Sequence, residues 1–438
     1  MNALMKEVRD TAGSYALAED AAVDEAVPAG YKRTEVGVIP EDWAVCDIGD
    51  FKPFVTSGSR GWADYYSNRG STFLRITNMS RDSICVDLSD LKLVNLPPDS
   101  TEGVRTQLQD GDLLVSITAD IGIIAFVDAS VPKPAYINQH IALVRLDPAK
   151  VDSKFLSYFL ASEGAQRFFR ASTDQGAKAG MNLANVREIK AAFPVLAEQR
   201  AIASALSDVD ALLVGLDQLI AKKRDLKQAA MQQLLTGNNY RLPGFTTKWE
   251  TKQLGEIFSI SAGRSKTAHI VDAGRFWIVD MGSVSAKGRL VVSKATNYHG
   301  DFLDAGDLVM PKDDIGGGNI IGKVGYIDAD KTYVLGDHVY RLSPKMGDSK
   351  YLSYAINGYQ TNSELRKKVI GSAQLGLGRR SVNEQEVSFP PLEEQTALAT
   401  ILSDMDAELA TLEARRDKTR ELKQGMMQAL LTGRIRLT

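Results

Sequence analysis

The chain has 438 residues, with 52 lysines and arginines against 55 aspartates and glutamates, a formal net charge of −3, and 44% hydrophobic residues. That length exceeds one ordinary core and predicts two to four domains of a soluble globular protein, and no run reaches the roughly 18 apolar residues of a membrane span. The two cysteines, Cys46 and Cys85, exclude a disulfide framework or a four-ligand zinc site, so a reducing cytoplasm is the expected location.

Along the chain, residues 1–30 hold Lys6 and Arg9 against Glu7, Asp10, Glu19, Asp20, Asp24 and Glu25. This acidic stretch is no secretory signal and is expected to be poorly ordered. From residue 31 short apolar runs alternate with Gly, Asp and Asn turns. Phe73–Ile76, Leu113–Ile117 and Ile141–Arg145 predict strands, and Lys154–Phe169 has helical spacing. Leu206, Val209, Leu213, Leu216 and Ile220 then fall at spacings of 3, 4, 3 and 4, a coiled-coil seam. Pro194 and Gly237 suit the two ends of that helix. At 1.5 Å per residue, about 40 residues make a rod of roughly 60 Å. A second strand-rich stretch follows, with runs at Trp277–Val279, Leu308–Met310 and Tyr340–Leu342. A second seam closes the chain: Leu402, Met405, Leu409 and Leu412.

The two halves are copies. Residues 193–237 align without a gap on residues 389–433, with 25 identities in 45 columns. At nearly the same offset Ser153–Leu156 matches Ser349–Leu352, Gly111-Asp112-Leu113 matches Gly306-Asp307-Leu308, and Gln139-His140 matches Asp337-His338. Elsewhere the two globules share little sequence, which predicts a repeated rod carrying two dissimilar heads. The resulting partition is a tail at 1–30, a first head at 31–193, a central helix at 194–237, a second head at 238–388 and a final helix at 389–438. Lys222, Lys223, Arg224 and Lys227 are balanced by Asp208, Asp210, Asp217 and Asp225, so these charges are read as a solvated helix face.

Catalytic signals fail on inspection. Gly317-Gly-Asn-Ile-Ile-Gly322-Lys323 resembles a phosphate loop, but Val324 stands where magnesium needs a Ser or Thr. Glu188-Ile-Lys190 after Asp174 is a common chance triplet. His140, His269, His299 and His338 are never at ligand spacing. His140 and His338 recur in the repeat, and beside apolar strands they are expected to be packed, hydrogen-bonded histidines. The heads offer basic and polar loops instead. Arg and Asn in glycine-flanked loops can reach guanine and adenine edges, while Lys and Ser serve phosphates. The candidate DNA contacts are Ser57, Arg60, Arg75, Asn78, Arg81 and Lys178 in the first head. In the second they are Arg264, Lys266, Lys312, Arg379 and Arg380.

At Phe193-Pro-Val-Leu-Ala-Glu-Gln199 and Phe389-Pro-Pro-Leu-Glu-Glu-Gln395, each followed by a rod ending in Leu-Leu-Thr-Gly, the sequence resembles a type I restriction–modification specificity subunit. Tyr31–Trp43 and Arg241–Phe245 resemble that family's two lead-in segments, so the likeness spans residues 31–438. It implies an α+β chain with two mixed target-recognition domains, joined by two long antiparallel coiled-coil helices in a pseudo-two-fold repeat. It further implies a non-catalytic subunit that reads a bipartite, asymmetric DNA site. The helices, through seams such as Leu206, Val209, Leu213, Leu216, Leu402, Met405, Leu409 and Leu412, would dock two modification subunits and indirectly a restriction subunit. S-adenosylmethionine, ATP and magnesium belong on those partners, with no cofactor on this chain. The family's recognition domains diverge, so no base-contacting residue carries over. A protein-joining adaptor and a nucleotide-hydrolysing protein are the competing expectations.

Overall fold

The computed structural model describes residues 27–97, 99, 101–173, 181–237, 241–315, 317–371 and 375–437. Most of the acidic tail and Lys178 therefore lie outside the described residues. Two compact units divide the chain: Met1–Asp217 with Arg415–Thr438, and Gln218–Ala414. The division falls inside the long helices, so each unit holds one head and one part of each helix.

The first unit contains β1 (Tyr31–Thr34), β2 (Gly37–Pro40), β3 (Ala44–Asp47), β4 (Phe54–Ser57), β5 (Tyr66–Ser67), β6 (Ser71–Leu74), β7 (Lys92–Val94), β8 (Leu113–Ser116), β9 (Ile124–Phe126), β10 (Ala135–Ile137), β11 (Ile141–Arg145) and β12 (Lys190–Phe193). One four-stranded sheet runs β4-β11-β8-β9 and a second runs β10-β6-β7-β5. The second unit contains β13 (Glu250–Gln253), β14 (Phe258–Ala262), β15 (Ile270–Val271), β16 (Phe276–Val279), β17 (Lys294–Thr296), β18 (Leu308–Pro311), β19 (Asp313–Asp314), β20 (Gly325–Tyr326), β21 (Tyr333–Leu335), β22 (Val339–Pro344), β23 (Leu375–Gly376) and β24 (Glu386–Phe389). Its sheets run β14-β22-β18-β20 and β15-β17-β16-β21.

These orders are the same order twice. In both heads the pairing is antiparallel except at one edge, where β10 lies parallel to β6 and β21 parallel to β16. The expectation of two dissimilar heads is therefore corrected: they differ in sequence and agree in topology. Strand pairing is made by backbone groups, and the inward positions require only apolar side chains of suitable volume. Leu113, Leu114, Ala142 and Val144 fill that role in one head, and Leu308, Val309, Tyr340 and Leu342 in the other.

The repeated Glu-Gln pair also acquires a physical meaning. In the first unit α1 (Thr101–Thr106) precedes α2 (Ser153–Ala161), α3 (Glu163–Thr173), α4 (Leu183–Arg187) and the start of the long α5 (Leu196–Leu234). Gln199 Oε1 accepts from the Asp152 backbone at 3.0 Å, and its Nε2 donates to the Pro194 carbonyl at 2.8 Å. The Asp152 side chain in turn caps α2 by accepting from Phe155 N. The second unit has α6 (Leu254–Ile257), α7 (Ser349–Asn357), α8 (Tyr359–Lys367), α9 (Arg379–Asn383) and the start of the long α10 (Leu392–Leu430). There Gln395, Pro390, Asp348 and Tyr351 repeat those bonds. The glutamates are buried: Glu198 accepts from Arg436, and Glu394 from Arg241 and Trp249 Nε1. A buried carboxylate is tolerated only when paired in this way.

Most of the seam residues turn inward. Leu206, Val209, Leu216, Leu402 and Leu409 are buried, and Leu213, Met405 and Leu412 are half-buried. In the first unit Ile202, Leu206 and Val209 share a core with Met426, Leu430 and Leu431. In the second, Leu398 and Leu402 share one with Leu234 and Leu235. The charges require a correction. Asp210 is buried and pairs with Lys423, Lys227 pairs with Asp406, Lys223 with Glu408 and Arg224 with Glu413. They join the two helices within each unit, and residue numbers rise on one helix as they fall on the other. Asp208, Asp225 and Lys222 remain exposed.

Candidate nucleic-acid interface

β4 and β14 each end in a glycine loop: Ser57-Gly58-Ser59-Arg60 in the first head and Ala262-Gly263-Arg264-Ser265 in the second. A Cβ on Gly58 would lie 2.2 Å from the Ile137 carbonyl, and one on Gly263 would lie 1.8 Å from the Gly336 carbonyl. Glycine is thus what lets each loop press against the end of β10 or β21. Arg105 on α1 fixes the first loop, donating to the Ser57 carbonyl at 2.7 Å, to Ser59 Oγ at 2.9 Å and to Thr56 Oγ1. Arg60 and Arg264 are exposed, and neither guanidinium has a hydrogen bond or ion pair among the described residues.

Beside each loop stands one of the repeated histidines. Ile117 N donates to the His140 carbonyl and Lys312 N to the His338 carbonyl, both at 2.9 Å. Met181 N donates to the Ile117 carbonyl at 2.8 Å and Leu377 N to the Lys312 carbonyl at 2.7 Å. Lys312 therefore occupies the place of Ile117, and Asp313 that of Thr118. His140 Nδ1 is bonded to Thr118 Oγ1, and His338 Nδ1 lies 2.6 Å from Asp313 Oδ2. Ser57, Gly58, Ser59, Arg60, Thr118, Gln139 and His140 line one cleft of about 450 Å³ in the first head. The expectation of packed histidines is half right: both are hydrogen-bonded, but His140 is only half-buried at the cleft and His338 is exposed.

The structure brings Ser57 and Arg60 together in that cleft, and sets Arg264 and Lys312 near the matching strand ends. Lys312 is half-buried, and no partner for its ammonium occurs among the described residues. Other candidates are engaged elsewhere. Asn78 is 1% exposed and donates to the carbonyls of Asp87 and Asp90, so it cannot reach a base edge. Arg75 donates to Asp90 at 2.9 Å and serves the same turn. Lys266 is 6% exposed, pairs with Asp301 at 2.8 Å and lies over the Tyr298 ring. Asn78 and Lys266 are corrections to the candidate set, because desolvated and satisfied groups stabilise the fold in place of contacting a ligand. Arg81 donates to Asp120, Gln166 and the Ile121 carbonyl. Arg379 donates to the Ile260 carbonyl, and exposed Arg380 pairs with Glu384 at 2.7 Å.

Gln139, His140, Asp313, Asp337 and His338 were missing from the candidates. Their signal was the recurrence of a polar residue before histidine at matching places in two otherwise unlike heads.

Lys323 of the glycine-rich turn is half-buried, donates to the Asn357 carbonyl and is followed by β20, where a phosphate loop would enter a helix. Burial, followed by the Arg366 charge, lowers its pKa. Lys190 pairs with Asp47 and Glu35; Asp174 lies outside the described residues. Among the described residues no group of three or more His, Cys, Asp or Glu could hold a metal ion, and no helix is long and apolar enough to cross a membrane.

The family profile described as "Type I restriction modification DNA specificity domain" matches residues 40–223 and 246–423. The chain belongs to that family. Both matches begin near a lead-in tryptophan and run into a long helix, so each spans one specificity domain. A similar curated protein is the type I restriction enzyme MjaVIII specificity subunit of Methanocaldococcus jannaschii. It is 26% identical over 434 residues, covering 91% of this chain and 94% of that one. Among solved structures, a type I restriction–modification S subunit from M. genitalium matches with a TM-score of 0.61 at 16% identity, covering 89% of this chain and 96% of that one. A chain from a study of complex assembly and conformational transition of the type I R-M system matches with a TM-score of 0.52 at 15% identity, covering 91% and 99%. At these identities the two structures establish the shared fold.

Proposed function

We propose that the two heads each read one part of a split, asymmetric DNA site. The paired long helices act as an antiparallel coiled-coil spacer that docks two adenine-methylating modification subunits and, through them, a restriction subunit. The chain itself is non-catalytic in this reading, with S-adenosylmethionine, ATP and magnesium held by the partners.

The observation that carries the reading is the pair of equivalent loop clusters. Two heads of one topology place a glycine loop with a free arginine and a hydrogen-bonded histidine at the same strand ends, and dress that frame with different side chains. A conserved frame with exchanged polar groups is what two readers of two different sequences require. The near-neutral net charge fits a complex in which the partners supply much of the phosphate affinity.

The test exchanges residues 238–388 for the corresponding head of another family member, in the assembled complex, and maps the methylated adenines. One half of the split site is expected to change while the other half persists. An unchanged site, or a change in both halves, contradicts the reading.

A further inference from the structure

Within that cluster, the residue before each histidine has hydrogen-bonding capacity left over. Gln139 Nε2 lies 2.9 Å from His140 Nε2. An amide nitrogen can only donate, so His140 Nε2 is the acceptor and its Nδ1–H faces Thr118 Oγ1. The chain Gln139–His140–Thr118 thus fixes the amide at the cleft through two bonds. One N–H and the Oε1 of Gln139 are left without a partner among the described residues. One donor beside one acceptor on a planar amide matches the major-groove edge of adenine, which accepts at N7 and donates from N6.

The second head holds Asp337 at the matching position. Its Oδ1 accepts from the His338 backbone at 2.7 Å. Its Oδ2 lies 3.6 Å from His338 Nε2, beyond a hydrogen bond, and keeps free acceptor capacity. His338 is in turn held by Asp313. A carboxylate only accepts, which suits the N4 amino group of cytosine and rejects the N7 side of a purine.

We propose that Gln139 and Asp337 are the base-selecting side chains of the two heads, Gln139 for an adenine and Asp337 for a cytosine. Thr118 is a positioning residue that acts through the His140 imidazole. This rests on the reading of the chain as a two-part DNA reader.

The experiment uses the full chain assembled with its modification subunits. Methylation is measured on a duplex library in which each base pair of both half-sites is varied in turn. Gln139→Glu, close in size to the native residue, is expected to lower the preference for adenine about tenfold or more at one position of one half-site, with cytosine favoured there. Asp337→Gln is expected to exchange cytosine for adenine at one position of the other half. Thr118→Val should weaken selection at the Gln139 position alone. Two results overturn the assignment while leaving two-part reading intact. In one, the wild type selects a split site and both variants leave every position unchanged. In the other, either variant lowers all positions together, which is the mark of a structural role. A wild-type complex that selects no two-part site overturns the underlying reading as well.

Discussion

Lys423 of the final helix donates to Asp210 of the central helix at 2.7 Å, with both side chains no more than 10% exposed. The same pair recurs with the helices exchanged, Lys227 to Asp406 at 2.6 Å, but there the side chains are 18% and 31% exposed. Each aspartate also accepts from a tyrosine of its own head, Tyr158 at 2.6 Å and Tyr354 at 2.8 Å. Burial, joined by the neighbouring carboxylate, raises the pKa of both phenols. Breaking a buried pair leaves an uncompensated charge, so Asp210→Ala should lower the stability of the first unit by about 3–5 kcal/mol. Asp406→Ala, in the wetter pair, should lower that of the second by on the order of 1–2 kcal/mol. Denaturant unfolding of each variant measures the difference. Replacing Asp210 and Lys423 together with Leu and Met should recover part of the loss, the remainder reporting the Tyr158 hydroxyl left without its acceptor.

Arg436 holds the chain's last segment to its first head. It donates to buried Glu198 at 2.6 Å and to Asp42 at 2.8 Å. The Arg436 hydrogen bond holds the Asp42 carboxyl below the usual aspartate range, and the two carboxylates raise the arginine in return. A carboxylate with a depressed folded-state pKa contributes stability above its unfolded value, about 3.9, and loses it as pH falls through the folded value. The melting-temperature gap between wild type and Arg436→Gln should therefore be full at pH 6–7 and shrink below about pH 4. A gap that widens on acidification contradicts the linkage.

Exposed and buried candidate residues of the heads should separate in their effects. Arg60→Ala and Arg264→Ala should each weaken DNA binding and reduce the slope of log affinity against log salt by about one, without changing the melting temperature. Lys266→Ala and Asn78→Ala should lower the melting temperature instead. Anisotropy titrations across salt concentrations, paired with thermal unfolding, score all four variants.

The loop glycines are tight against backbone, which cannot rotate away. Gly58→Ala and Gly263→Ala should cost about 1–3 kcal/mol of stability through displacement of the strand end they meet. Each should also impair reading of one half-site only. If both alanine variants bind and unfold like the wild type, the loops are not held as described.

Much of the helical frame was legible because its signals are local. Spacings of three and four residues mark the seam, and the 45-column repeat gives both rods the same ends. The common topology of the heads was hidden because β10 and β6, or β21 and β16, meet across long sequence separations through backbone bonds. Single candidates failed for a related reason. Asn78 and Lys266 look like loop contacts in sequence, and only the fold supplies Asp87, Asp90 and Asp301 as their partners. Gln139 and His140 were visible as a repeated pair, but nothing local distinguishes a histidine at a cleft from one in a core.

Two-part reading is tested most directly by sequencing the adenines methylated by the chain assembled with its modification subunits. The expected result is a single asymmetric site of two specified parts separated by a fixed number of unspecified base pairs. A continuous or palindromic site, or methylation without sequence preference, contradicts it.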